Sequence, residues 1–377
     1  MAKRRGNSEG SIYQRKDGRW AASITLSDGN RRSYYGRTRL EASDKLKEAQ
    51  NKVSAGLPLG GLRLRVGSWL ENWLEIASTR VRPRTLIRYR EIAKYHLIPR
   101  LGRKVLSQLT PADVDRAIRD ALASGQSPRS VAHHRAVLRT ALNAAMRDGH
   151  VGRNVASLAS APRVPEREYQ PITQAQAKAI LEAMRGDRLE ALFTVALACG
   201  LRQGEALALR WTDVDLETAS ISIQRTLQRI EKDWKFMEPK TRSSRRTITV
   251  PDPVVKSLRE HRARQAEERL MMGGDWQGGQ WGNLVFTNRG GDPLSGFHVG
   301  RRFRALLKLE GLPKMRYHDL RHGAASLLAA MGVPPRVAME MLGHADISTT
   351  MRIYAHIAPE YQKDAAQRIT NVLWGEG

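Results

Sequence analysis

Four short pieces lie far apart in this chain: Gly-Leu-Arg-Gln-Gly-Glu at 200–205, His-Asp-Leu-Arg-His at 318–322, Leu-Gly-His at 342–344, and Tyr354, with Lys240 between the first two. Together they offer two guanidiniums, Arg202 and Arg321, imidazoles at His318, His322 and His344, one ammonium and one phenol. A guanidinium is a permanent cation whose planar fork matches phosphate oxygens. An imidazole can move a proton near neutral pH. A free tyrosine has a pKa of about 10 and is a poor nucleophile unless cations surround it. The set therefore suits attack on a phosphodiester by a tyrosine. The ester energy would be kept in a phosphotyrosine link, and an ammonium within reach would protonate the departing 5′-hydroxyl. This chemistry calls for no cofactor and no metal ion.

The spacing says how such groups could be aimed. Gly200 can end one helix before another begins, and Glu205 lies three residues after Arg202, where it can share a helix face and orient the guanidinium from behind. His318 and Arg321 are also three apart, whereas Leu320 would point into a core. His318 and His322 are four apart, as in a zinc pair, but the pattern is not His-Glu-x-x-His, and no Cys or Glu stands at the usual metal spacing. His344 follows Leu342-Gly343 at a break between helices.

Composition agrees with a polyanionic partner. The chain has 377 residues, 63 Lys/Arg against 38 Asp/Glu, and a net charge of +25, with a pI near 10.8. An excess of this size points to nucleic acid. Membrane surfaces are anionic too, but there is no apolar run of about 18 residues and no lipidation motif. The start, Met-Ala-Lys-Arg-Arg, is not backed by an apolar stretch and does not read as a signal peptide. The single cysteine, Cys199, excludes an internal disulfide framework. A bacterial cytoplasm, in association with the nucleoid, is the expected compartment.

The elements that must position these groups fall into three expected domains, at 1–60, 67–160 and 171–377. Residues 1–66 hold 15 Lys/Arg against 6 Asp/Glu. Ser11–Gln14, Arg19–Leu26 and Arg31–Tyr35 read as three strands, with an Asp-Gly turn signal at 28–29, and Glu41–Val53 reads as a helix. Arg15, Arg19, Arg31 and Arg32 are candidate DNA contacts on this sheet, together with Tyr13, Trp20 and Tyr34. Residues 56–61 look like a linker. Residues 67–160 read as all helix. Thr110-Pro111 and Ser127-Pro128 supply helix starts, and Arg129, Arg135 and Arg139 lie on the polar side of the last long helix as further DNA contacts. The segment 161–171 is a second linker. A capping box at Thr173 and Gln176 then opens the third domain. Its strand candidates are Ser220–Arg225, Trp234–Glu238 and Arg246–Val250, with Asn283–Thr287 as a short fourth, and helices follow Ser295. Residues 358–374 read as a terminal helix.

In order and spacing the motifs resemble the tyrosine recombinase (phage integrase) family, over roughly residues 171–360. The middle region is similar to that family's helical core-binding domain. Residues 1–66 are similar to the arm-type DNA-binding domain of phage and conjugative-transposon integrases. The resemblance implies a small α+β domain of three strands and a helix, an all-α core-binding domain, and a mainly α catalytic domain with a small antiparallel sheet. It makes Tyr354 the nucleophile, Arg202, Arg321 and His344 phosphate contacts, His318 a proton-transfer group and Lys240 the general acid, with Lys235 as its competitor. It also implies a site-specific recombinase that cuts and rejoins double-stranded DNA at core-type and arm-type sites. A homotetramer on two duplexes would do this, with an excisionase or a DNA-bending host factor as accessory partner. The terminal helix would dock either on its own domain or on a neighbour. Two alternatives stand beside this reading: a type IB topoisomerase, which shares the arginine, lysine, histidine and tyrosine logic, and a DNA-binding regulator that has lost catalysis, against which the complete residue set argues.

Overall fold

The computed structural model describes residues 10–25, 31–54, 64–165, 171–239 and 244–375, without the side chains of 52–54, 356–368 and 372. The linker at 56–61 falls outside this set, as do residues 166–170 of the second linker, the turn at 28–30 and Lys240. The chain divides into two compact units, residues 1–166 and 167–377.

In the first unit, β1 (Ser11–Gln14), β2 (Trp20–Thr25) and β3 (Arg31–Gly36) form an antiparallel sheet in the order β1-β2-β3. Alternation along β2 sends Ala22 and Ile24 to one face, where they pack with Ala42, Leu46 and Ala49 of α1 (Arg39–Ser54). Ile12, Trp20 and Tyr34 join them. The register pairs Tyr13 with Ala21 and Ala21 with Tyr35, which places both tyrosines on the opposite, uncovered face, about half exposed.

The helical part of this unit runs α2 (Val66–Ser78), α3 (Pro83–Ile92), α4 (Ile98–Leu101), α5 (Pro111–Ala123), α6 (Pro128–Arg147) and α7 (Val155–Leu158). Between α3 and α4 the helix widens into a π turn at Ala93–Leu97. Thr110 caps α5 reciprocally with Asp113, and Ser127 caps α6. Trp69, Leu70, Val137, Leu138, Ala141 and Leu142 share one core. Full burial of such an aliphatic side chain contributes roughly 1.5–3 kcal/mol of transfer free energy. The Trp69 indole also donates to the Ala141 carbonyl at 3.0 Å, which fixes α2 against α6.

The second unit opens with α8 (Gln174–Met184), capped by the box at Thr173 and Gln176, then α9 (Glu190–Cys199) and the short α10 (Gln203–Ala206). The strands β4 (Val214–Asp215), β5 (Ser220–Ile223), β6 (Thr226–Ile230), β7 (Asp233–Met237) and β8 (Arg246–Thr249) follow. They make two small sheets: β4-β5-β8, and a β6-β7 hairpin. The sequence pattern gave β5, β7 and β8 but not β6, whose two-residue turn carries Glu231 at φ 58 with no glycine to announce it. The expected strand at 283–287 is instead a pair of isolated bridges, Arg210 to Leu284 and Thr287 to Pro293. Helices α11 (Asp252–Met272), α12 (Gly296–Leu309), α13 (Tyr317–Ala330), α14 (Pro335–Leu342) and α15 (Ile347–Trp374) complete the unit. The terminal helix expected at 358–374 is the second half of α15, which carries Tyr354 in its first half. A core of Leu192, Phe193, Ala196, Phe286, Phe303 and Leu320 lies beneath the motif-bearing ends of α9 and α13.

Candidate active site

Each motif contributes its apolar member to the core and its polar member to one cluster. Leu201, Leu320 and Leu342 are buried. Gly200 closes α9 in the left-handed region, at φ 63. A Cβ there would stand 2.3 Å from Leu342 and 3.2 Å from Ala324, so glycine is what lets the ends of α9, α13 and α14 meet. The freed Gly200 carbonyl accepts from Arg321 Nη1 at 2.6 Å. Gly204 is needed for space rather than angle, because a Cβ there would meet Thr226 Oγ1 at 2.4 Å.

Arg202 sits just before α10 in extended backbone, and Glu205 reaches back to it. Glu205 Oε1 accepts from Arg202 Nη1 at 2.6 Å and Oε2 from the Arg202 amide at 3.1 Å. Arg202 Nη2 donates to the Gly343 carbonyl at 2.6 Å, which ties the first motif to Leu-Gly-His. His344 follows Gly343 and is buried, with Nδ1 at 2.8 Å from the Thr350 hydroxyl. When Nδ1 accepts that hydroxyl proton, Nε2 carries the ring hydrogen and is a donor. His318 stands exposed at the rim, edge-to-face with His322 at 5.0 Å between centroids.

The electrostatics follow from crowding cations in a buried place. Burial, then the neighbouring Arg202, lowers Arg321 to about 9, so it stays charged at neutral pH. Burial, then Arg321 and Arg202, lowers His344 to about 3 and keeps its ring neutral. At the rim, desolvation by the surrounding protein, then the charges of His322 and Arg321, lowers His318 to about 4. Arg321 itself is only 4% exposed, and its Nη2 is buried with no hydrogen-bond partner among the described residues. A buried guanidinium donor without a partner is costly. Several cations beside an unfilled donor make a receptor for an anionic oxygen.

Of two further expected members, one falls outside the described residues and one stands apart from the cluster. Lys240 lies outside the described residues, in the connection from β7 to β8; Ser244, near the end of that connection, has its hydroxyl 3.5 Å from Arg202 Nη1. Lys235 is exposed on β7. Tyr354 is half-buried, and its hydroxyl donates to the Val333 carbonyl at 2.6 Å. Val333 folds back onto Leu328 at the far end of α13, whereas Arg321 is near its start. At 1.5 Å of rise per residue, on the order of 10 Å of helix separates them. Helical side chains lean toward the N-terminus, which carries the Arg321 guanidinium further from the phenol.

The profile of the phage integrase family matches residues 170–361, half of the chain. This chain belongs to the phage integrase family. The integrase N-terminal SAM-like domain matches residues 66–122. An integrase of Streptomyces ambofaciens is 33% identical over 380 residues, 97% of each chain. A XerC-like tyrosine recombinase of Caldanaerobacter subterraneus subsp. tengcongensis is 29% identical over 382 residues, 95% of this chain and 98% of that one. Among solved structures, the Tn1549 transposon integrase in complex with a circular intermediate DNA has a TM-score of 0.70 at 21% identity, covering 81% of this chain and 99% of its own. A lambda integrase dimer on a core site has a TM-score of 0.57 at 18% identity, with 93% and 96% covered. At those identities the likeness concerns the fold. The family is one of tyrosine recombinases, enzymes that cleave and rejoin DNA.

In this integrase the basic residues proposed from sequence divide into three kinds. Arg15, Arg19, Arg31, Arg129 and Arg139 are exposed. Arg15 lies over the Tyr35 ring at 5.2 Å, and Arg31 donates to the Ser23 hydroxyl at 2.8 Å. Arg32 is exposed too, but it pairs with Ile24, so the pleat puts it on the helix side of the sheet, opposite to Arg31. Trp20 and Tyr34 are on that covered face too. Arg135 is committed inside the protein: its Nη2 donates to the carbonyls of Ser157 and Ala159 at 3.1 and 2.7 Å, at the end of α7. Sequence reading passed over one member of the central cluster, Arg246. Its only signal was the basic pair 245–246 at the head of a strand, which looks like any exposed charge until the fold buries it.

Proposed function

We propose that this chain is a site-specific recombinase that cuts and rejoins double-stranded DNA through a covalent 3′-phosphotyrosine intermediate, integrating and excising a mobile element such as a prophage. The observation that carries the reading is the gathering of Arg202, Arg321 and His344 beside a buried guanidinium nitrogen that has no partner among the described residues. A nonbridging oxygen of the scissile phosphate is suited to that donor, with Arg202 and His344 Nε2 on the other nonbridging oxygen. Tyr354 attacks phosphorus, the bond to the 5′-oxygen breaks, and Lys240 gives the leaving oxygen its proton. His318, at the rim, assists proton transfer, and Glu205 aims Arg202. In the second half, a 5′-hydroxyl from another strand attacks the phosphotyrosine and returns the phenol.

Tyr354 must leave the Val333 carbonyl before it reacts. The hydrogen bond to Val333 is worth about 1 kcal/mol net, and contacts with DNA or with a neighbouring protomer draw the phenol into place. Four protomers on two duplexes, arm-site binding by residues 1–60, core-site binding by 67–160 and catalysis by 171–377 complete the scheme. An excisionase or a DNA-bending host factor sets direction, in a bacterial cytoplasm at the nucleoid.

The test uses a nicked duplex that carries the crossover sequence recovered from the element's junctions. The wild-type protein should form an adduct that survives denaturing electrophoresis. Tyr354→Phe should bind the same duplex and form none. Adducts that persist in the variant sink the assignment, and relaxation of a supercoiled plasmid without any recombinant product would move the chain to the topoisomerases.

A further inference from the structure

We infer that Arg246 is a positioning residue of the recombination site, which sets Arg202 and His344 from behind without touching DNA. The inference rests on the function proposed above. Arg246 heads β8 opposite Ile223, and its side chain is only 8% exposed. Its three nitrogens serve three separate pieces of the site. Nη2 meets Glu205 Oε2 at 3.3 Å, Nε donates to the Met341 carbonyl at 2.7 Å, and Nη1 donates to the Ser244 carbonyl at 3.2 Å.

Each contact leads to a group that would face the phosphate. Glu205 is the carboxylate that holds Arg202, and it is shared between the two arginines. Met341 is in the last turn of α14, two residues before Gly343, whose carbonyl Arg202 grips, and His344 is next in the chain. Ser244 lies at the end of the connection that bears Lys240. Gly343 is shaped to this guanidinium: at φ 64 it has no Cβ, and one there would stand 2.6 Å from Arg246 Nη1. Leu-Gly-His therefore needs its glycine for Arg246 as well as for the turn.

A planar fork is suited to this task, because three acceptors in different directions are fixed by one rigid group. Without it, Glu205 has only Arg202 to neutralise. The carboxylate would draw that guanidinium inward, and the α14 end would lose the donor that fixes the start of the His344 loop. Misplacing reacting groups by about 1 Å can cost on the order of a hundredfold in rate. DNA affinity is spread over many exposed cations, none of which Arg246 supports.

The experiment compares Arg246→Met and Arg246→Lys with the wild type in the full-length protein. It measures single-turnover adduct formation at saturating protein on the nicked duplex, the dissociation constant for that duplex, and thermal unfolding. The expected result is an adduct rate lower by about a hundredfold in Arg246→Met, partial recovery in Arg246→Lys, and a dissociation constant changed by no more than a few-fold. In a Glu205→Gln background, Arg246→Met should lose far less than it does alone, because the shared carboxylate carries the effect. An unchanged rate in Arg246→Met overturns the inference. So does a parallel loss of binding and cleavage with early melting, or full additivity with Glu205→Gln. If the wild type itself forms no adduct on cognate duplex, the proposed function fails instead.

Discussion

The two units hold their positive charge in opposite ways. In residues 167–377 two cations of the proposed site are inside: Arg321 is 4% exposed, and the Arg246 side chain 8%. In residues 1–166, Arg15, Arg19, Arg129 and Arg139 stand in solvent. A buried guanidinium is stable only where carbonyls and carboxylates surround it, since an uncompensated charge in a low dielectric is expensive. Those neighbours also fix its position to a fraction of an ångström. An exposed arginine keeps its freedom and acts through a field that salt screens. Buried cations can therefore stabilise one transition state at one point, and exposed ones can supply affinity along a polyanion.

The most direct way to break this contrast is Arg321→Ala. Loss of one preorganised donor at a developing anion costs about 10²–10³ in rate. We expect adduct formation on cognate nicked DNA to fall by that factor, with duplex affinity nearly unchanged. The substitution also leaves the Gly200 carbonyl without its donor, a cost of about 1–3 kcal/mol, so thermal unfolding should be followed alongside. If affinity fell as far as the rate, the buried cation would be working as the exposed ones do, and the distinction would be lost.

What sequence could show follows the same line. The motif glycines and leucines were legible because close approach and burial restrict residue type tightly. Gly200, Gly204 and Gly343 each stand where a Cβ would collide, and Leu201, Leu320 and Leu342 fill the core. Glu205 was legible because three residues along a helix is a local distance. Arg246 was not, because its partners lie about 40 and 95 residues away and only the fold brings them near. Tyr354 was picked out by order in the chain, and order does not say that its hydroxyl rests on Val333. On the sheet, the basic run 31–32 reads as one patch, although period-two alternation sends its members to opposite faces. The hairpin strand Thr226–Ile230 escaped notice because its turn uses Glu231 at positive φ where a glycine or asparagine would have marked it.

Arg135 sharpens the comparison from the other side, as the one proposed DNA contact of the first unit that is turned inward. Arg135→Ala should lower the stability of the helical region by about 1.5–3 kcal/mol, the range for hydrogen bonds to a charged group. Its effect on the salt dependence of binding should be small. Arg129→Ala and Arg139→Ala should do the reverse, with stability held to within about 0.5 kcal/mol. Where they contact phosphates, each should reduce the slope of log affinity against log salt by about 0.9. Chemical denaturation and salt titrations on the three variants check this. Equal salt slopes for Arg135→Ala and Arg129→Ala would mean that the backbone contacts of Arg135 give way when DNA binds.

The smallest effect is expected at Tyr317, and it tests whether burial alone can silence a group beside the site. Tyr317 adjoins His318 in the chain, lies 4% exposed in the core, and its hydroxyl has no hydrogen-bond partner among the described residues. Burial, then the negative charge of Glu205, drives its pKa far above the ordinary phenol value. It therefore stays a neutral phenol at neutral pH. Tyr354 differs in being half-buried and hydrogen-bonded to a carbonyl from which it can be released. Removing an unpartnered buried hydroxyl relieves a desolvation cost, so Tyr317→Phe should unfold at the same temperature or slightly higher and form adducts at the wild-type rate. A loss of stability beyond about 1 kcal/mol would mean that an ordered water joins this hydroxyl to Glu205. In that case the carboxylate that aims Arg202 has a third support, and a slower adduct rate in Tyr317→Phe should accompany the loss.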